Sequence, residues 1–341
     1  MRHSDHWSPA RVRRIRALSP TVREIELAPD AGALPWSPGS HLPLRVRLAG
    51  SSAGGGVDER IDTRHYSLVS LGDAAEPAAY RVAVKQVVAS RGGSRFMHAL
   101  REGDELETLP PHNHFELPAG TRPTLLVAGG IGITPLVGMA LALAARGADL
   151  RMAYAVRQAA DLVYAEQLRE ALGARLSTFA ADRGQRLDLD AAFAALPDGA
   201  QALVCGPLSM MLASQAAWAG AGRPAGDHRI ETFGAGGTQP AQAFHVKLPR
   251  HGLEFDVPAD GSLLDALEAH GIDVLSDCRR GECGLCAVDV LAVTAGEIDH
   301  RDVFLSPRER AAGQRICACV SRLCGPGATV VLDSAWRPDG G

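Results

Sequence analysis

A chain of 341 residues exceeds what one ordinary core holds, so two or three domains are expected. With 46% apolar and 22% charged residues and a net charge of -4, it lacks the basic surplus that nucleic acid or an anionic membrane surface would demand. The longest apolar run, near Leu136 to Ala145, is too short to span a bilayer. The arginine-rich start (Arg2, Arg11, Arg13, Arg14, Arg16) lacks the apolar run of a signal peptide, so a cytoplasmic protein is expected.

From Val12 to Leu117 short alternating runs are broken by Gly and Pro: VREIEL at 22 to 27, LPLRVRL at 42 to 48 and YRVAVKQV at 80 to 87. Short strands at regular spacing with little helix predict a small antiparallel barrel. From Arg122 to Phe233 apolar strands alternate with Ala-rich helical segments: PTLLVAGG, PLVGMALALAARG, DLRMAYAVR and VYAEQLREALG. That alternation predicts a parallel α/β sheet. GAGGTQPAQA at 234 to 243 has linker composition. Beyond it FHVKL and LEFDV read as a hairpin, and Ser262, with Asp265 three residues on, reads as the cap of a helix that stops at Gly271.

Four motifs point to ligands. RHYSL at 64 to 68 and SRGGS at 90 to 94 offer guanidinium groups, an aromatic face, a hydroxyl and free backbone N–H groups, a set suited to a phosphate-bearing aromatic ligand. LLVAGGIGITP at 125 to 135 is a strand running into a glycine turn and a helix, where N–H groups and the helix dipole suit a pyrophosphate. ALVCGP at 202 to 207 ends another apolar strand at the edge where open α/β sheets bind ligands. Each alone is compatible with an ordinary strand or turn.

DCRRGECGLC at 277 to 286 puts three of the seven cysteines in ten residues. The spacing C-x4-C-x2-C of Cys278, Cys283 and Cys286 is the plant-type [2Fe-2S] arrangement, unlike the paired C-x2-C knuckles of structural zinc; buried inert thiols or an unusual zinc site are the alternatives. Gly281 and Gly284 inside the loop supply positive φ where the chain would wrap a cluster. A fourth ligand must come from Cys317, Cys319 or Cys324 in RICACVSRLC, and strand alternation leaves Cys317 and Cys319 on one face, undecided.

In order, Arg64-His65-Tyr66-Ser67, Arg91-Gly92-Gly93-Ser94, Gly129-Gly130-Ile131-Gly132-Ile133-Thr134-Pro135, Cys205-Gly206-Pro207, Glu231-Thr232-Phe233, the cysteine loop, GEIDHRDVFL at 296 to 305 and CVSR at 319 to 322 resemble the phthalate dioxygenase reductase family over nearly the whole chain. The resemblance implies an antiparallel β-barrel flavin domain (1–117), an α/β parallel-sheet nucleotide domain (118–235), a linker (236–242) and a C-terminal β-grasp ferredoxin domain (243–341). It implies FMN at Arg64, His65, Tyr66, Ser67, Arg91, Gly92, Gly93 and Ser94. NADH would bind at Gly129, Gly130, Ile131, Gly132, Thr134, Cys205, Gly206, Pro207 and Glu231, with Phe233 near the flavin ring and Ser67, Cys205 and Phe233 closest to the chemistry. It also selects Cys319, directly before Val-Ser-Arg, as the fourth cluster ligand. Cys317 is then a small buried thiol and Cys324 a structural cysteine.

A nicotinamide gives up two electrons at once and a [2Fe-2S] cluster takes one, so a flavin between them converts one currency into the other. The implied protein is a monomeric NADH-dependent reductase passing electrons to a Rieske-type oxygenase of aromatic catabolism, with Arg279, Arg280, Glu282 and Leu285 as the face offered to that partner. A stand-alone quinone reductase and a ferredoxin-like carrier are the rival readings. Arg157 would favour a 2′-phosphate on the nucleotide, and Asp161 and Glu166 would oppose it.

Overall fold

Alternating burial along Ser8–Ala17 makes β1 a half-buried strand, and it pairs antiparallel with β2 (Val22–Pro29) through a bulge between Val12 and Arg14. β3 (Ser40–Ser51), β4 (Val57–Ser67), β5 (Tyr80–Lys85), helix α1 (Gly93–Ala99), β6 (Glu105–Thr108) and β7 (His112–Asn113) follow. This computed structural model describes residues 6–51, 57–72, 79–87, 92–233 and 239–333, with backbone alone over 49–51 and 57–60. The strands lie in the order β4-β3-β6-β1-β2-β5, with β7 on β3, and a bridge from Leu68 to Val82 joins the two ends of that path. The expected antiparallel barrel is therefore present. Ile25, Leu27, Leu42, Leu44, Val46 and Val82 fill it, each buried aliphatic contributing about 1.5–3 kcal/mol.

All six residues of β8 (Thr124–Gly129) are buried, as a strand covered on both faces requires. α2 (Ile133–Ala145), β9 (Leu150–Val156), α3 (Ala165–Leu172), β10 (Leu176–Ala180), α4 (Leu189–Ala194), β11 (Gln201–Cys205), α5 (Leu208–Gly220) and β12 (His228–Glu231) complete the alternation. The sheet is parallel throughout, in the order β10-β9-β8-β11-β12. Successive strands step outward one way from β8 and the other way from β11, so the topological switch point falls between the ends of these two strands.

The chain parts into two compact units, Met1–Glu231 and Thr232–Gly341. In the second, β13 (Phe244–Leu248) and β14 (Leu253–Val257) form the expected hairpin. α6 (Leu263–Ala269) carries a full capping box between Ser262 and Asp265, and Gly271 just past its end has φ +76°. β15 (Ala287–Asp299), α7 (Pro307–Ala312), β16 (Arg315–Cys317) and β17 (Arg322–Asp333) follow. The order β14-β13-β17-β15-β16, with β13 and β17 parallel, is the mixed sheet of a β-grasp domain, and Leu263, Leu264 and Leu267 of α6 share its core with Val246 and Val330. Among the described residues no helix is long and apolar enough to cross a membrane.

Candidate functional site

β4 delivers Arg64, His65, Tyr66 and Ser67 in register with Leu44, Pro43, Leu42 and His41 of β3. The Arg64 guanidinium pairs with Asp62 at 2.6 Å through Nη1, while its Nη2 and the Ser67 Oγ are buried with no hydrogen-bond partner among the described residues. Buried donors left unmatched cost roughly 1–3 kcal/mol each unless a ligand takes them up, and a phosphate-bearing ligand supplies the acceptors both need. Burial raises the Tyr66 phenol well above its ordinary range against the opposing pull of Arg64, so Tyr66 presents a neutral hydroxyl and ring. Gly92 takes φ +99° at the mouth of α1, and Ser94 accepts the Val87 N–H at 3.2 Å. Arg91 lies outside the described residues.

At the switch point Cys205 pairs with Ala128, which sets the end of β11 beside the glycine turn that follows β8. A Cβ at Gly132 would stand 2.2 Å from the Cys205 carbonyl oxygen, and one at Gly206 3.0 Å from Gly129 Cα. These glycines let the two strand ends close on each other. Gly130, with φ +55°, has open space where a Cβ would be, and the Thr134 hydroxyl pins the turn by donating to the Ile131 carbonyl at 3.0 Å. Cys205 is fully buried, as is Glu231 at the end of β12. Phe233 belongs to the second unit and is half-buried.

Among the nearby charges, Arg157 and Glu166 are exposed, but Asp161 is buried and its carboxylate accepts Ser19 Oγ, Thr21 Oγ1 and Lys85 Nζ, each at 2.7 Å. Its expected role of opposing a 2′-phosphate is thereby corrected: the charge is already matched by Lys85. Spacing alone gave no warning, because the partners lie 76 to 142 positions away.

In the cysteine loop the Cys278 sulfur accepts the backbone N–H groups of Arg280, Glu282 and Cys283, each at 3.4 Å. A Cβ at Gly281 would stand 2.6 Å from Val320 Cγ2, and one at Gly284 would enter the Phe304 ring. Both glycines also have positive φ, as expected. The Ala318 N–H donates to the Cys286 carbonyl at 3.0 Å, bringing the distal segment onto the loop. The thiols of Cys317 and Cys319 both reach Cys286 and hold it well below the usual thiol range. Cys319 also faces Cys278 and the Gly281 N–H. N–H groups turned on sulfur and thiols crowding in the low-dielectric interior suit thiolate ligands. Among the described residues no three such side chains converge as ligands of a single metal ion would. Cys278, Cys283, Cys286 and one distal cysteine would hold a [2Fe-2S] cluster, which would supply one-electron transfer.

Two expectations about this loop are corrected. β16 ends at Cys317, and Val320 and Ser321 donate back to its carbonyl, so residues 318–320 form a turn and strand alternation does not apply to Cys319. Arg280 is only 5% exposed and pairs with Glu282 at 3.2 Å, so it is withdrawn from the face expected for a partner, while Arg279 is exposed and ion-paired with Asp265 and Glu268. Leu285 is exposed as expected, and so is Phe304, which the sequence did not single out. Cys324 lies within β17, its sulfur near the Glu297 carbonyl.

Residues 126–216 match the family described as oxidoreductase NAD-binding domain, and residues 246–324 the family described as 2Fe-2S iron-sulfur cluster binding domain. The chain is 39% identical over 95% of its length to the heme-dependent oxidative N-demethylase beta subunit of Ectopseudomonas mendocina, covering 97% of that protein. It is likewise 39% identical to a putative toluene-4-sulfonate monooxygenase system reductase subunit of Comamonas testosteroni, covering 95% of this chain and 98% of that one. The solved phthalate dioxygenase reductase, described as a modular structure for electron transfer from pyridine nucleotides to [2Fe-2S], superposes with a TM-score of 0.71 at 29% identity, over 96% of this chain and 98% of that one. The chain belongs to the phthalate dioxygenase reductase family.

Phthalate dioxygenase reductase-type proteins are nicotinamide-dependent flavin and [2Fe-2S] oxidoreductases that serve as reductase components of oxygenases, and this chain is one of them. It also resembles part of the full-length CYP116B46 of Tepidiphilus thermophilus, with a TM-score of 0.63 and 33% identity over 96% of this chain, spanning 42% of that longer protein.

Proposed function

We propose that the chain takes electrons from NADH, holds FMN in its antiparallel domain, and passes electrons through its cluster to a Rieske-type oxygenase. The observation that carries this is the pairing, in one chain, of buried unmatched Arg64 and Ser67 donors with a switch-point glycine turn and a cysteine loop. The flavin supplies the conversion between two-electron and one-electron transfer. The residues of the chain do the holding. Arg64, with Gly92, Gly93 and Ser94, neutralises and cradles the phosphate, Tyr66 offers its ring, and Ser67 donates its hydroxyl. Gly129 to Gly132 present backbone N–H groups to the nucleotide pyrophosphate, and Cys205, Gly206, Pro207 and Glu231 shape the nicotinamide end. Cys278, Cys283, Cys286 and Cys319 would hold the cluster. The barrel, nucleotide and ferredoxin domains are assigned to 1–117, 118–235 and 243–341, in a protein that works as a monomer.

FMN is favoured over FAD by family resemblance. Heat release of the flavin followed by chromatography tests it: FMN is expected at about one per chain, and FAD alone would overturn the assignment. A Rieske-type acceptor is favoured by likeness to the phthalate dioxygenase reductase, and the relative named for a heme-dependent demethylase defines the comparison. NADH-driven turnover is expected with a Rieske oxygenase; turnover with a heme oxygenase alone would move the partner to the other class.

A further inference from the structure

Asp161 ends the short turn Ala159–Asp161 that follows β9, yet the donors to its carboxylate stand on the antiparallel domain: Ser19 and Thr21 from the β1–β2 turn and Lys85 from the end of β5. Its own carbonyl accepts the buried Tyr154 hydroxyl at 3.0 Å, which ties it back into β9. From these donors a run of hydrogen bonds reaches the proposed flavin turn. The Thr21 carbonyl accepts Gln86 N–H at 2.8 Å, and the next residue, Val87, donates to Ser94 Oγ. Ser94 follows Gly93, which lies against Arg64. On the other side, Ala155 of β9 pairs with Gly129 of the nucleotide turn.

A second tie runs alongside. The Tyr164 hydroxyl donates to Glu24 at 2.7 Å, Glu24 is buried and paired with Arg16 at 3.0 Å, and Tyr164 keeps a left-handed backbone at φ +60°. A non-glycine residue stays in that region only where its surroundings hold it there.

We propose that Asp161 is a positioning residue that couples the two ligand turns, so that flavin and nicotinamide nucleotide each bind more tightly when the other is present. Such coupling needs a contiguous element that both sites bias, and the run from Ser94 through Thr21 and Lys85 to Asp161 and β9 provides one. The proposal rests on the flavin reading of the antiparallel domain.

The test strips the purified full chain of flavin and measures its Kd for FMN with and without saturating NAD+. In the native protein NAD+ should tighten FMN binding about fivefold or more, the lower end of ordinary coupling between sites. In Asp161→Asn and in Lys85→Met the ratio should fall to about one. Lys85 is partly exposed, so Lys85→Met answers the question even if Asp161→Asn fails to fold. A purely structural role would lower thermal stability and leave the ratio where it was. A native ratio near one, or an unchanged ratio in a folded variant, overturns the proposal. If the native chain binds no flavin at all, the flavin reading falls, and the coupling with it.

Discussion

Gly93 lies so close to Arg64 that a Cβ at position 93 would stand 3.1 Å from the guanidinium Nε and 3.2 Å from Cγ. Glycine at 93 therefore lets the guanidinium sit against the turn with one nitrogen still unmatched. Gly93→Ala should push Arg64 aside and weaken FMN binding about tenfold. Arg64→Ala, which removes a charge-assisted bond worth about 1.5–3 kcal/mol, should weaken it by roughly 10- to 100-fold. Fluorescence titration of flavin-free protein checks both. Equal affinity in Arg64→Ala would remove Arg64 from the phosphate site.

His228 stacks on Trp218 at 5.4 Å and meets the Phe193 edge at 5.9 Å, and its Nε2 is buried without a hydrogen-bond partner among the described residues. Burial pushes its pKa down to about 4, below the 6.5 of an exposed histidine. The folded state thus resists a proton that the unfolded state accepts. The stability this neutral ring permits is complete above pH 6.5 and is lost as pH falls toward 4. Between pH 7 and pH 5 this group should cost on the order of 2 kcal/mol, and His228→Phe should remove that part of the slope. Urea unfolding at the two pH values measures it, and an unchanged slope in the variant would contradict it.

The order of elements was legible because periodicity is a local property: β2, β8, α2 and the Ser262 cap stand where their residues put them. The site was legible where it consists of turns, as at Gly129 to Gly132 and in the cysteine loop. Long-range partners were not. Asp161 looked like a charge free to meet a nucleotide until folding supplied Lys85, and Arg280 looked exposed until the loop closed over it. His41, His65, His112 and His114 cluster, with rings 5.0 to 6.3 Å from His41, only because β3 pairs with both β4 and β7.

The turn after β16 separates the environments of two cysteines that alternation would have made equivalent. Cys319 faces Cys278, Cys286 and the Gly281 N–H, whereas Cys317 faces Cys286 and the buried Asp302. Cys319→Ser should abolish or grossly shift the EPR signal of the reduced cluster, and Cys317→Ser should leave it nearly unchanged. The reverse pattern would move the fourth ligand to Cys317.

With Asp161 matched by Lys85, only Glu166 of the two acidic residues remains exposed beside Arg157. Preference for NADH over NADPH is still expected from family resemblance, and Arg157→Ala should widen it about tenfold if the guanidinium meets a 2′-phosphate. Steady-state kcat/KM for both nucleotides in cytochrome c reduction gives the answer. A native preference for NADPH would reverse the assignment.

The central claim, that one chain converts the electron pair of NADH into single electrons at a cluster, is tested most directly by anaerobic titration with NADH followed by absorbance and EPR. A flavin taking two electrons and a cluster taking one should consume about 1.5 equivalents of NADH per chain, with flavin bleaching and a reduced [2Fe-2S] signal developing in the same titration. Flavin bleaching that stops at about one equivalent with no cluster signal would contradict it.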